Sequence, residues 1–256
     1  MALTDDRGRA VPLNKAVQRL MRVGGLHIGR FPPVDSLGYH LKTVFRELRT
    51  NCILDVGAHI GEYGEEVRDL DYEGRIVSFE PVPASYAQLT QLCARDPQWT
   101  AHNVALGAED STMEMNIFRG TVFNSFLPAS SYASERFGNQ AEIVRTERVA
   151  VRRLDGMLDE CIAGIEKPSL FLKMDTQGWD LTVLRGLGSR INEISAIQTE
   201  LPVKSLYEGM PNFPEAITQL SAMGFELTGI FPVARDMDHL RIIELDCVLC
   251  RQAKPV

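Results

Sequence analysis

Two segments place acids and glycines where a ligand carrying a ribose could be held. In Ile53-Leu54-Asp55-Val56-Gly57-Ala58-His59-Ile60-Gly61-Glu62 an apolar run delivers an acid and then two glycines. Glycines at such a point let the backbone turn sharply and let a ligand approach it closely. Glu80 follows in Val77-Ser78-Phe79-Glu80-Pro81, 23 residues after Gly57. A carboxylate at that distance can accept both hydrogen bonds of a ribose diol. The spacing is G-x-x-x-G rather than G-x-G-x-x-G, and the third glycine of the dinucleotide fingerprint is missing. A nicotinamide-dependent oxidoreductase is therefore disfavoured.

Proton or metal chemistry has three candidates: His59 in the glycine loop, Asp175 after Leu172-Lys173-Met174, and Glu200 in Thr199-Glu200-Leu201. A hydroxyl with an alcohol-like pKa becomes nucleophilic only with help from a base or a cation. Asp175 and Glu200 both fall at carboxyl ends of expected strands. If those strands are neighbours, the two acids reach one Mg²⁺ or one acceptor hydroxyl. His59 reads equally as a loop residue bonded to backbone or ligand. Thr121-Val122-Phe123-Asn124-Ser125-Phe126 is apolar and aromatic, with Asn124 and Ser125 as its polar groups. It suits a lid over a polyhydroxylated ligand, or an ordinary packed turn.

These residues need a scaffold, and the hydrophobic pattern supplies one. Short apolar runs at Cys52–Val56, Arg75–Phe79, Thr100–Leu106, Ser169–Met174 and Ala196–Leu201 predict buried strands. Amphipathic segments at Glu62–Leu70, Ala84–Ala94, Leu181–Gly186 and Pro214–Met223 predict intervening helices. Such alternation implies an α/β fold, a mostly parallel sheet with helices on both faces. Phe225–Phe231 and Leu245–Arg251 follow each other without a helix, so one of them enters antiparallel. Residues 112–151 read as a β-rich insertion, with Met113–Phe118 and Arg148–Val151 flanking a polar loop. Residues 1–50 read as an N-terminal helical cap, and 51–256 as the main domain. Ligands of such sheets bind beyond the carboxyl ends of the strands, where strand order reverses.

The chain of 256 residues carries 27 Lys+Arg against 34 Asp+Glu, a net charge of -7. That acidity argues against a general affinity for nucleic acid. No run approaches the roughly 18–20 apolar residues that cross a bilayer, and the start lacks an apolar signal core, so a cytoplasmic protein is expected. Residues 1–50 hold 9 Lys/Arg and 4 Asp/Glu, a net of +5, against -12 for the rest. Asn14–Val23 is a basic amphipathic helix by pattern. Residues 14–30 could steer an anionic substrate, rest against a membrane surface, or form a solvated face. Cys247 and Cys250 make a C-x-x-C, but within a strand that spacing points them to opposite faces, so they are read as small hydrophobes.

Leu54–Gly61, Phe79-Glu80-Pro81, Asn103-Val104-Ala105-Leu106-Gly107 and Leu172-Lys173-Met174-Asp175-Thr176-Gln177-Gly178, in this order, resemble the FkbM family of S-adenosylmethionine-dependent methyltransferases. The resemblance covers roughly residues 50–251. It implies a class I methyltransferase, Rossmann-like fold of seven strands with the last antiparallel. It implies S-adenosylmethionine across the glycine loop (Gly57, Ala58, His59, Gly61), its ribose on Glu80 and its adenine near Pro81 and Asn103-Val104-Ala105. The amino-acid end would lie near Asp55 and Gly57, and Asp175 with Gln177 beside the methyl group. The family often has Asn where His59 stands and Glu where Gln177 stands, though some members carry Gln. Gln177 cannot act as a general base.

Family members methylate oxygens, often on sugars. The resemblance therefore implies an O-methyltransferase, with a saccharide or glycolipid hydroxyl ranked first as acceptor and a polyketide or macrocycle hydroxyl second. Asn124, Ser125 and Gln177 would contact the acceptor, and Asp175 and Glu200 would orient and deprotonate it. A non-catalytic relative would be expected to have lost the glycines or Glu80, and both are intact.

Overall fold

The computed structural model describes residues 32–251. The basic helix expected at Asn14–Val23 and the membrane-facing segment 14–30 lie outside the described residues. The chain first forms helix α1 (Leu37–Glu47), capped by the Ser36 hydroxyl, which accepts from the Tyr39 amide. Then follow β1 (Cys52–Val56), α2 (Glu62–Asp69), β2 (Arg75–Phe79), α3 (Pro83–Cys93) and β3 (Trp99–His102). A second group comprises β4 (Ala105–Leu106), β5 (Ser111–Phe118), α4 (Ser131–Phe137), β6 (Ile143–Arg152) and α5 (Leu154–Cys161). The chain closes with β7 (Leu170–Met174), α6 (Asp180–Arg185), β8 (Ile194–Pro202), α7 (Phe213–Ala222), β9 (Phe225–Asp236) and β10 (Arg241–Arg251).

Seven strands form one sheet in the order β3-β2-β1-β7-β8-β10-β9. Its pairs are parallel except for β10, which runs antiparallel between β8 and β9. This is the class I methyltransferase arrangement, with the last strand reversed. The central strands β1, β2, β7 and β8 are buried on both faces, as parallel strands between helix layers must be. Leu54, Val56, Val77, Leu172 and Ile197 enter one core, while Ile53, Ile76, Phe171 and Ala196 enter the other with α1 residues Leu41, Val44 and Phe45. Cys247 packs into the first core and Cys250 against the second, so the C-x-x-C is split across the sheet.

The single strand expected over Thr100–Leu106 is two strands in different sheets. After β3 the Asn103 side-chain amide donates to the Glu80 and Pro81 carbonyls. Ala105 and Leu106 then pair with β6 in a three-stranded sheet of order β4-β6-β5. The middle of this segment, read from its polar composition as a loop, contains α4. Ser130 caps it by accepting from the Ala133 amide. The turn Thr121–Phe123 and the segment after it lie over the carboxyl ends of the main sheet, with Phe126 tilted on Trp179 at 5.0 Å.

Candidate active site

Strand order reverses between β1 and β7, and a cavity of about 480 Å³ opens beyond their carboxyl ends. Gly57, at φ 77, turns the chain out of β1, and a Cβ there would overlap the Asp175 carbonyl oxygen. The position demands glycine because two strand ends converge on it. Gly61, at φ 103, starts α2, where a Cβ would strike Leu92 and Leu89. Its role is therefore helix packing, and it does not line the cavity.

Glu80 is buried where β2 ends. One carboxylate oxygen accepts from the Val82 amide at 2.8 Å and the other from the His59 amide at 2.9 Å. Burial pushes this carboxyl up to about 7, against the pull of those two N–H groups. Each oxygen keeps a lone pair for a further donor. Beside it, Pro81, Val82, Ala105, Met115, Phe126 and Trp179 make an apolar slot. The Trp179 indole N–H is buried without a partner among the described residues. A paired acceptor next to an apolar slot fits the ribose and base of a nucleoside.

Asp55 is fully buried and does not line the cavity. It accepts from the Ser78 hydroxyl at 2.9 Å and faces the Lys173 ammonium at 3.3 Å, both across the β1 register. Lys173 also stands 3.7 Å from Asp175 and 5.2 Å from the centre of the Tyr63 ring. Burial opposes its charge, but Asp55 and Asp175 outweigh that and hold its pKa above the ordinary lysine value. Sequence reasoning gave Lys173 no role. Its signal was a cation in an otherwise apolar strand beside the acid-bearing strand β1.

His59 is in the left-handed region at φ 49. Its ring joins Glu62 at 3.0 Å and the Thr121 hydroxyl at 3.1 Å, so it ties the glycine loop to the insertion. Asn124 lines the cavity, and its side-chain oxygen accepts from the Phe118 amide. Ser125 is buried outside the cavity lining and donates to the Gln177 carbonyl at 2.8 Å. Asn103 and Val104 stand behind the lining, whereas Gly57, Ala58, Pro81 and Ala105 belong to it.

β7 and β8 are adjacent, with Met174 opposite Thr199, so Asp175 and Glu200 emerge side by side. Gln177, at φ 52, turns back between them. Its amide nitrogen donates to Asp175 at 2.6 Å and approaches Glu200 at 3.4 Å. Its amide oxygen accepts from the Tyr207 hydroxyl at 2.8 Å. Buried Asp180 accepts from the Thr176 amide and hydroxyl and from the Thr199 hydroxyl, fixing this turn to β8. Burial, then Asp175, Glu244 and Asp246, hold Glu200 well above the usual carboxylate range. Burial with Asp175 and Asp180 raises Glu244, and burial brings Asp246 up to about 6. An Mg²⁺ shared by Asp175 and Glu200 would have to displace the Gln177 amide. Among the described residues no group of three or more His, Cys, Asp or Glu is placed to hold a metal ion. The residues as arranged do not fit a metal.

The methyltransferase FkbM domain model matches residues 55–227. The chain belongs to the FkbM methyltransferase family. This family places it among proteins with the S-adenosylmethionine-dependent methyltransferase fold. A curated relative, Methyltransferase 1 of Beauveria bassiana (strain ARSEF 2860), is 25% identical over 187 residues, covering 68% of this chain and 71% of the relative. Solved structures resemble this FkbM-family chain loosely. One is a protein of Thermobifida fusca YX described provisionally as a methyltransferase, with TM-score 0.49, 12% identity and 85% and 79% of the two chains covered. Another is Aeropyrum pernix fibrillarin with natively bound S-adenosyl-L-methionine, with TM-score 0.43, 12% identity and 78% and 66% covered. Glu244 and Asp246 on β10 lie beyond the span that the family model matches. Their signal in the sequence was two acids at strand spacing in an apolar run.

Proposed function

We propose that this FkbM-family protein is an S-adenosylmethionine-dependent O-methyltransferase that methylates a hydroxyl of a saccharide or glycolipid. The observation that carries this reading is the placement of Asp175 and Glu200 side by side at the cavity floor, next to the nucleoside slot. Bound S-adenosylmethionine supplies an electrophilic methyl group on a sulfonium.

In this reading Glu80 holds the ribose diol through the lone pairs left free by the His59 and Val82 amides. The apolar slot takes the adenine. Asp175 orients the acceptor hydroxyl. Glu200 takes its proton, because burial and neighbouring acids make it a stronger base than an ordinary carboxylate. Gln177 keeps the two carboxylates apart with an N–H, and the insertion residues Thr121–Phe126 exclude water from above. Alignment of the hydroxyl with the methyl group supplies much of the rate in an in-line displacement. Val122 and Val233, exposed at the cavity wall, offer apolar surface to the lipid or aglycone of the acceptor.

The test is incubation with S-adenosylmethionine and a panel of alkyl glycosides and macrocyclic alcohols, read by mass spectrometry for the gain of one methyl. Methylated glycoside that Glu200→Gln abolishes supports the reading. Methylation by Glu200→Gln at the wild-type rate would remove Glu200 as the base, and methylation of macrocycles alone would replace the acceptor class.

A further inference from the structure

Methyl transfer as proposed leaves the β10 side of the cavity, next to Glu200, without a task. Asp246 lies opposite Glu200 in the β8–β10 register, and Glu244 stands two residues before it. All three acids line the cavity, as does Glu66 from α2. Glu244 is only 9% exposed, yet its carboxylate takes no hydrogen bond or ion pair from any described residue. Asp246 accepts one bond, from the Gln198 amide at 3.0 Å. The buried cation Lys173 is committed to Asp55 and Asp175. The wall thus carries more carboxyl groups than the one buried cation can balance, with Glu244 lacking any donor among the described residues, and burial raises all three toward their protonated forms, a cost that a pairing cation relieves.

The methyl donor is not that ligand. Strand order places β10 three positions from β1, which is about 14 Å at ordinary strand spacing. The glycine loop and Glu80 hold a nucleoside at the β1 and β2 ends, so the β8–β10 wall faces whatever lies on the far side of Asp175. A neutral polyol there would supply donors but no charge. A phosphate or carboxylate would add another anion to the cluster, where unpaired like charges repel. An ammonium group supplies both donors and charge.

We propose that Glu200, Glu244 and Asp246 form an acceptor subsite for a polyol bearing an ammonium group, so that the methylated hydroxyl belongs to an amino sugar or amino alcohol. This rests on the methyltransferase reading and narrows its acceptor class. Glu200 contacts the hydroxyl, and Glu244 and Asp246 select for the neighbouring cation. Rejection of anionic acceptors follows from the same wall.

The test uses full-length protein titrated first with S-adenosylhomocysteine and then, once loaded, with glucosamine, glucose and glucuronate as matched probes. The subsite predicts glucosamine binding at least about tenfold tighter than glucose, with glucuronate giving no heat. Glu244→Gln combined with Asp246→Asn brings the glucosamine-to-glucose ratio close to one. Asp246→Asn alone, which keeps a partner for Gln198, carries the same readout with a smaller change should the double variant not fold. Equal affinities, binding of glucuronate, or a preference that survives the substitutions overturns the subsite. Silence from all three sugars with normal S-adenosylhomocysteine heat also overturns it while leaving the methyltransferase reading intact. No heat from S-adenosylhomocysteine in folded protein overturns the methyltransferase reading itself.

Discussion

Tyr207 and Gln177 meet at 2.8 Å, the phenol hydroxyl donating to the side-chain carbonyl oxygen. That contact decides which end of the amide faces the acids, leaving the Gln177 nitrogen toward Asp175 and Glu200. The same hydroxyl lies 3.0 Å from the Phe123 carbonyl, so one side chain links the acids to the insertion above them. Tyr207→Phe removes this link, and a lost hydrogen bond of about 1 kcal/mol corresponds to a roughly fivefold lower kcat. Steady-state kinetics checks it. An unchanged kcat would mean that the amide orientation does not depend on Tyr207.

Gln177→Glu places a third carboxyl between Asp175 and Glu200. Added negative charge raises the pKa of its neighbours. As the proposed base Glu200 acts only when deprotonated, so the acid limb of the kcat profile moves to higher pH, by about one unit for a like charge at this range. A profile that does not move contradicts the assignment of Glu200 as base.

Much of this site was legible in the sequence because it sits on contiguous signals. The strand, turn and glycines of Leu54–Gly61 and the acid at Glu80 are local patterns, and so is Asp175 after Lys173. The adjacency of Asp175 and Glu200 was conditional on strand order, which the pattern of alternating elements allowed but did not dictate. Gln177 read as a loss of charge, whereas its amide bridges the two acids at a positive φ. Tyr207, Glu244 and Asp246 were missed because long-range placement brings Tyr207 onto Gln177 and the two acids into the cavity lining. Tyr207 comes from the loop after β8, and the two acids come from a strand that inserts antiparallel between β8 and β9. The split of Thr100–Leu106 was hidden for the same reason, since one short run spans both halves and only their strand partners differ.

Lys173 is the buried cation between Asp55 and Asp175. Lys173→Met leaves Asp55 charged and enclosed, and removing one partner of such a pair costs about 3–5 kcal/mol. Asp55→Asn in the same chain recovers part of that loss. Urea denaturation of the two single variants and the double variant measures the coupling. Additive losses would show that the two groups do not interact.

Glu80 gives a pH dependence with a definite sign. Its carboxyl is pushed up to about 7 in the folded chain, against about 4.3 for an exposed glutamate. Between these values the folded state binds more protons than the unfolded one, so stability falls as pH rises. In cofactor-free protein, wild type therefore loses stability relative to Glu80→Gln between about pH 4 and 7. Thermal melts of both proteins at several pH values check this. A gap moving the other way would show that Glu80 is not desolvated in the free protein.

In the proposed reading Gly57, Glu80 and the slot beside them hold S-adenosylmethionine. Isothermal titration of folded protein, freed of co-purified cofactor, tests it most directly, with Glu80→Ala and reduced nicotinamide dinucleotide as controls. The account predicts binding at a Kd on the order of micromolar, weakened by about a hundredfold or more in Glu80→Ala, and no heat from the dinucleotide. No binding of S-adenosylmethionine, or binding that Glu80→Ala leaves unchanged, would contradict it.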